Sequence, residues 1–501
     1  MIGPRDPASP APVSRTDTRP APSGDLASFG LRRAAEAIAH GETRCVDCAL
    51  ALLAAIERTR STNAWRHVDA ARLLEAAARA DHVRDGRGPL HGVPLAFKDN
   101  IDVAGVPTTA GSPALRGHVP RRNSVVAQRL LDAGALVLGK TNLHEFALGV
   151  TSDNAVFGPV RNPHAPDRIA GGSSGGAAAA VAAFAAPAAI GTDTGGSIRI
   201  PAALCGVVGF RPSTGRWPTD GIVPLSWTRD TPGPIARSVA DCALLDAAVV
   251  GGVVDHARAR AAHGAGATAP GAARLRELRL GLPQRRFLAP LDAGLAEVVD
   301  AALACLRAAG ATLVPCEIDD VDTLTHATGM TIAQHETPQA LRAYFTRHAL
   351  AFDAAALVAA IASPEVRVAF EDIFRDSPIR ASTYRRAMRD LRPALQRAWQ
   401  RCFETHRLDA LLYPTTALPA ARIGEEFVQV GNERMPVFFA YIRNTEPGTV
   451  VGAPGLSLPV GATRSGLPVG LAVDAQPGDD GHLLQVGMRL EACFAAGPAP
   501  R

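Results

Sequence analysis

Three short segments carry residue types suited to nucleophilic chemistry: Lys98-Asp99-Asn100, the run Gly171-Gly172-Ser173-Ser174-Gly175-Gly176, and Gly191-Thr192-Asp193-Thr194-Gly195-Gly196-Ser197. Taken alone, Gly172 to Gly176 fits G-x-S-x-G with Ser174 at its centre, the elbow that exposes a nucleophilic serine between a strand and a helix. That elbow needs a strand directly before it, and Pro163 to Ala170 (PHAPDRIA) reads as a poor strand. Glycines ahead of a helix also suit a phosphate, but the Walker pattern ends in G-K-[ST] and no such lysine is present. The remaining reading uses all three segments together. A Gly-Gly-Ser turn can aim successive backbone N–H groups at one point, forming an oxyanion hole beside the hydroxyl of Ser197.

A serine hydroxyl needs a base, and neither glycine-rich segment contains a histidine. A buried lysine, its pKa lowered by desolvation, can serve instead. Of 52 basic residues only Lys98 and Lys140 are lysine. Where arginine supplies nearly all the surface charge, a retained lysine is a candidate for chemistry a guanidinium cannot do, above all losing a proton near neutral pH. Packing is the competing reading, and for Lys140 in LGKTN it is the preferred one. Asp193 and Arg199 read as residues that orient the serine loop. The eight cysteines include one C-x-x-C, Cys45 and Cys48, without a second pair to complete a zinc site. The fourteen histidines show no H-x-x-x-H spacing and read as surface or packing residues.

These segments need a scaffold. Leu31 to Ala39 and Ala49 to Ile56 repeat apolar residues at helical spacing, and helical pattern extends to about Val83. His91 to Phe97 (HGVPLAF) reads as a short strand that delivers Lys98 to the interior. Ser124 to Ala133 reads as a helix ended by Gly134, and Ala135 to Leu138 as a buried strand. Such alternation predicts an α/β fold, a sheet covered by helices on both faces. Residues 320–445 return to helix, and Thr449 to Val460 with Leu467 to Val473 look like closing strands. The Pro-, Ser- and Arg-rich residues 1–26 read as a disordered tail, and about 255–275 as an exposed insertion. Residues 27–498 then form a single domain, its catalytic core at about 85–245 plus the C-terminal strands at 449–475, with 320–445 as a helical substrate-pocket region.

Apolar residues make up 47% of the 501, charged residues 20%, and the formal charge is +4, so a sizeable core is available. No Lys/Arg run calls for nucleic acid or an anionic membrane. The longest apolar stretch, Ala177 to Ile190, is too short to span a bilayer. The N-terminus lacks the apolar centre of a signal peptide, which makes the cytoplasm the expected compartment.

The runs GGSSGGAAAAVAA at 171–183 and GTDTGGSIRIPAALCGVVGFRPS at 191–213 resemble the signature of the amidase-signature family, and HGVPLAFKDN resembles its G-(I/V)-P-x-x-x-K-D stretch. The resemblance covers about 30–245 and resumes at Gly452 to Gly470. It implies a central mixed, twisted sheet between helices, and a Ser-Ser-Lys triad with no metal or organic cofactor. Ser197 would be the acylated nucleophile and Ser173 the bridging serine, after a cis Gly172–Ser173 bond. Lys98 would be the base, and the N–H groups of Thr194, Gly195, Gly196 and Ser197 would bind the oxyanion. Gly149, Val150 and Ser174 would contact substrate. Segments 111–126, 151–176 and the C-terminal FFAYIRNTEPGTVVGAPGLSLPVG are similar to indoleacetamide and mandelamide hydrolases. That implies a small primary arylacetamide cleaved to an acid and ammonia, with Phe438, Phe439 and Tyr441 as candidate walls of an aryl pocket. The family also contains amidotransferase subunits that draw ammonia from glutamine and need partner subunits. A homodimer is common among its members.

Overall fold

Short apolar runs bounded by turn residues become the buried strands of one large sheet. The computed structural model describes residues 25–83, 87–251, 272–375 and 379–496. Its strands are β1 (Trp65–His67), β2 (Pro94–Lys98), β3 (Leu136–Thr141), β4 (Arg161–Asn162), β5 (Ala165–Ile169), β6 (Ala188–Asp193), β7 (Val208–Arg211) and β8 (Thr231–Ala236). The later ones are β9 (Arg279–Pro283), β10 (Thr312–Cys316), β11 (Ala410–Pro414), β12 (Phe427–Val430), β13 (Glu433–Pro436), β14 (Gly455–Ala462) and β15 (Pro468–Asp474). Eleven of them form the sheet, in the order β1-β3-β2-β6-β8-β7-β14-β15-β11-β9-β10. β3, β2 and β6 run parallel, as do β11, β9 and β10. Between these blocks β8, β7, β14 and β15 pair antiparallel, so the sheet is mixed.

Strands β2, β6 and β8 are buried along their whole length, as expected of a sheet covered on both faces. Leu95, Ile190 and Ile235 from these strands share one core with Ala34, Leu52, Leu245, Leu303 and Leu490 from the surrounding helices. Side-chain caps fix where several helices begin: Ser124 accepts the N–H of Ala127 at 3.1 Å, Ser238 that of Asp241 at 3.1 Å, and Asp292 that of Leu295 at 2.9 Å. The alanine-rich segment after Gly175 divides into a helix, Gly175–Ala182, buried through Val181, and β6. Among the described residues no helix is long and apolar enough to cross a membrane.

Four local expectations need correction. Pro163 to Ala170, read as a poor strand, contains β5, which pairs with β4 in a two-stranded ribbon. The helical stretch at 320–445 is interrupted by β11, a five-residue apolar run that joins the central sheet, and by the β12–β13 hairpin. A short apolar run has no periodicity to tell strand from helix. Thr449 to Val451 belong to a helix, Glu446–Val451, which opens on Pro447 and ends at Gly452; the strand starts only at Gly455. Asp25 to Ser28, at the end of the expected tail, are ordered and bury Ala27 in the core. Residues 1–24 and most of the expected insertion at 255–275 lie outside the described residues.

Candidate active site

Parallel strands β2 and β6 lie side by side, Phe97 opposite Ile190, and their carboxyl ends carry Lys98 and Thr192-Asp193 to one place. Ser173 enters from the turn before the Gly175–Ala182 helix. Lys98 Nζ lies 2.6 Å from Ser173 Oγ and 2.8 Å from Thr192 Oγ1, which also receives the Asn100 side-chain N–H at 3.2 Å. Burial pulls the Lys98 pKa from 10.5 down to about 7, against the opposing pull of Asp193 and Asp230. A neutral amine there can donate to Thr192 and turn its lone pair toward the Ser173 hydroxyl. Lys140, by contrast, is a buried structural cation, 3.0 Å from Asp99 Oδ1 and bonded to Thr108 Oγ1 at 2.9 Å.

Ser197 sits at the floor of a cleft, and its Oγ accepts the backbone N–H of Ser173 at 3.1 Å. This contact between the two serines involves the Ser173 backbone rather than its hydroxyl. The expected cis bond at Gly172–Ser173 is not found; the one cis bond among the described residues is Ala289–Pro290. Gly171 and Gly172 make the turn instead with left-handed φ values of 86° and 56°.

Asp193 organises the serine loop from below. Its carboxylate accepts the N–H groups of Gly196 at 2.8 Å and Ile198 at 3.2 Å, and Arg199 Nε at 3.2 Å. Arg211 Nη1 donates to the Asp193 carbonyl at 2.6 Å. Burial alone would raise the Asp193 pKa, but Arg199 and Arg211 outweigh it and hold the carboxyl below its ordinary range. The N–H of Gly196, expected among the oxyanion donors, is engaged here by the Asp193 carboxylate. A side chain at Gly196 is excluded, since φ is +135° and a Cβ would meet Thr445 Oγ1 at 2.2 Å. Thr194 and Gly195 line the cleft beside Ser197.

Ser174, expected to contact substrate, is bonded to β6 here. Its hydroxyl donates to the Thr192 carbonyl at 3.1 Å and accepts the Thr192 N–H at 3.2 Å, fastening the turn to β6 instead of facing the cleft. Gly149 and Val150 line the cleft together with Leu225, Met330 and Ile442. Of the three aromatic residues considered, all on the Val437–Ile442 helix, only Phe438 reaches it. Tyr441 is buried, its hydroxyl donating to the Pro419 carbonyl at 2.7 Å, and Phe439 points to solvent.

Sequence reasoning missed several contributors. Arg229 and Glu446 line the cleft as a pair 3.3 Å apart, each supplying the other's countercharge. Gln334 and Thr337 come from the long helix Val321–Arg347, and Ala369 and Ile373 from the helix Pro364–Phe374. No motif marks these residues; only folding brings them to Ser197. Thr192 and Asn100, both inside the motifs, were within reach of the sequence.

A mixed eleven-stranded sheet with this arrangement at the ends of β2 and β6 is the architecture of an amide-hydrolysing enzyme. The peptide amidase from Stenotrophomonas maltophilia superposes with a TM-score of 0.79 at 32% identity, covering 96% of this chain and 99% of that one. The chain belongs to the amidase family, whose model matches residues 47–484. It is 39% identical over 462 residues to an indoleacetamide hydrolase of Agrobacterium vitis, covering 92% of this chain and 96% of that protein. Identity is again 39% over 462 residues to a mandelamide hydrolase of Pseudomonas putida, with 87% and 86% covered.

Proposed function

We propose that the protein hydrolyses a primary amide of the arylacetamide class to the carboxylic acid and ammonia, through an acyl-enzyme on Ser197. The observation that carries this reading is the 2.6 Å contact between Ser173 and a buried Lys98 that titrates at about 7, next to the nucleophile. Neutral Lys98 takes the Ser173 hydroxyl proton while the Ser173 oxygen takes that of Ser197, and Ser197 Oγ bonds to the amide carbonyl carbon. This relay needs Ser173 Oγ to reach Ser197 Oγ, a contact additional to the backbone one described above. The oxyanion is met by the N–H groups of Thr194 and Gly195. Collapse breaks the C–N bond, and the proton held by the relay goes to the departing nitrogen as ammonia leaves. Water then attacks the acyl-enzyme along the same path, regenerating Ser197.

The apolar walls of the cleft, Phe438 and Met330 among them, suit an aryl group. Arg229 is neutralised by Glu446, so the cleft offers no free charge for a zwitterionic substrate. The names of the two curated relatives point to the same class. The test is ammonia release from indole-3-acetamide, mandelamide, phenylacetamide, benzamide and glutamine. A preference for the arylacetamides, with kcat down by roughly 10³-fold or more in Ser197→Ala, is expected. Turnover of glutamine alone would overturn the substrate class.

A further inference from the structure

Away from the cleft, the structure brings together the only group of three metal-ligating side chains found among the described residues: Asp102, His118 and His348. The histidines lie 230 positions apart (348 − 118), which is why no sequence spacing reveals them. We propose that these three residues bind one divalent transition-metal ion, zinc being the probe of choice. The bound ion would tie the end of the Val321–Arg347 helix to the segment that follows Lys98.

One ligand atom from each residue lies within 4.8 Å of the other two. Asp102 Oδ2 and His348 Nε2 are 3.1 Å apart, close to the ~3.4 Å edge of a tetrahedron with metal bonds of about 2.1 Å. At that separation a hydrogen bond would be routine, yet neither buried atom makes one. They are not aligned on each other, which is how two ligands aimed at a common third point are disposed.

The outer contacts have the character of a supported site. The Tyr344 hydroxyl donates to Asp102 Oδ1 at 2.8 Å and lies 3.1 Å from His118 Nε2, so one group orients two ligands. Two imidazoles and a carboxylate suit zinc and its first-row neighbours rather than calcium or magnesium. An ion has a route in, since Asp102, His118 and His348 line a cleft open to solvent together with Asn123 and Arg347. Arg121 and Arg122 also face this cleft and Lys140 acts on Asp102 electrostatically, so affinity in the micromolar range is expected rather than a tighter value. Arg347 is itself paired with Asp220 at 2.6 Å.

The test uses the full chain carrying Cys305→Ser and Cys493→Ser, because those two thiols, 3.5 Å apart, would take zinc on their own. Zinc is titrated calorimetrically, and thermal melting is followed with and without it. One equivalent should bind and raise the Tm. Both effects should vanish in His118→Gln and in His348→Gln, each checked for native circular dichroism without metal. If one variant fails to fold, the other decides. Absence of saturable binding up to millimolar zinc, or equal binding in the histidine variants, would overturn the proposal. Neither readout depends on amide turnover, so failure here leaves the proposed hydrolysis standing, and the converse holds.

Discussion

Desolvation sets Lys98 apart from the arginines that supply nearly every other positive charge. With its pKa near 7, kcat/KM should rise through about pH 7 as the amine loses its proton. A pH profile checks this, and a flat profile from pH 6 to 8.5 would remove Lys98 as base. Lys98→Arg should be nearly as inactive as Lys98→Ala, because guanidinium stays protonated. The same shift acts on stability. Between pH 7 and 10.5 the unfolded chain holds a proton on Lys98 that the folded chain lacks, so this residue makes stability climb with pH across that window. Lys98→Met should abolish turnover and remove that part of the climb, read as a smaller rise in Tm between pH 7 and 9 than in the wild type. Asp193 acts with the same sign at lower pH: its folded pKa is depressed, so its contribution is present above the unfolded carboxylate range and lost on acidification. Asp193→Asn would leave Arg199 and Arg211 buried with one fewer countercharge. A loss of about 3–5 kcal/mol in denaturant unfolding is expected.

At the level of elements, the cleft depends on how the helix Pro364–Phe374 is held. The Glu145 carboxylate accepts the N–H of Ser363 at 2.7 Å and of Ala362 at 3.1 Å, securing the start of that helix, while Glu365 within it lies 3.1 Å from His144. Glu145→Ala should raise KM several-fold with a smaller change in kcat, since Ala369 and Ile373 contact the cleft but not Ser197's chemistry. Equal losses in kcat and kcat/KM would instead place Glu145 in the reaction itself. None of this was legible in the sequence. The strand into Lys98, the Ser124-capped helix and the glycine-rich turns could be read because each is local: an apolar run, a cap, a backbone requirement. Glu145, Arg229 and Glu446 could not, because Arg229 and Glu446 lie 217 positions apart, Glu145 lies 217 and 218 positions from Ala362 and Ser363, and a lone charged residue says nothing about what it will meet. The misread pieces, β5, β11 and the Glu446–Val451 helix, are all short enough that tertiary pairing overrides local preference.

Across the whole molecule, the C-terminal helix Asp480–Ala496 closes onto the core through Glu491, which accepts the Val239 N–H at 3.1 Å. Burial raises the Glu491 pKa to about 7. The folded chain therefore holds a proton that the unfolded chain sheds near pH 4.5, and the associated stability is lost as pH rises through 7. Glu491→Gln keeps an acceptor for Val239 without the charge. Its Tm relative to wild type should improve between pH 5 and 8, and a constant difference would refute this. The arginine bias has a last consequence at this scale. Lys98 and Lys140 are both fully buried, so the folded surface presents no lysine at all. Succinimidyl esters and aldehydes should therefore find no ε-amine on the native enzyme, and a lysine-specific endoproteinase should find no accessible bond. Cleavage, or labelling of an ε-amine as distinct from the α-amine, would then report unfolding directly, because either can begin only where the interior has opened.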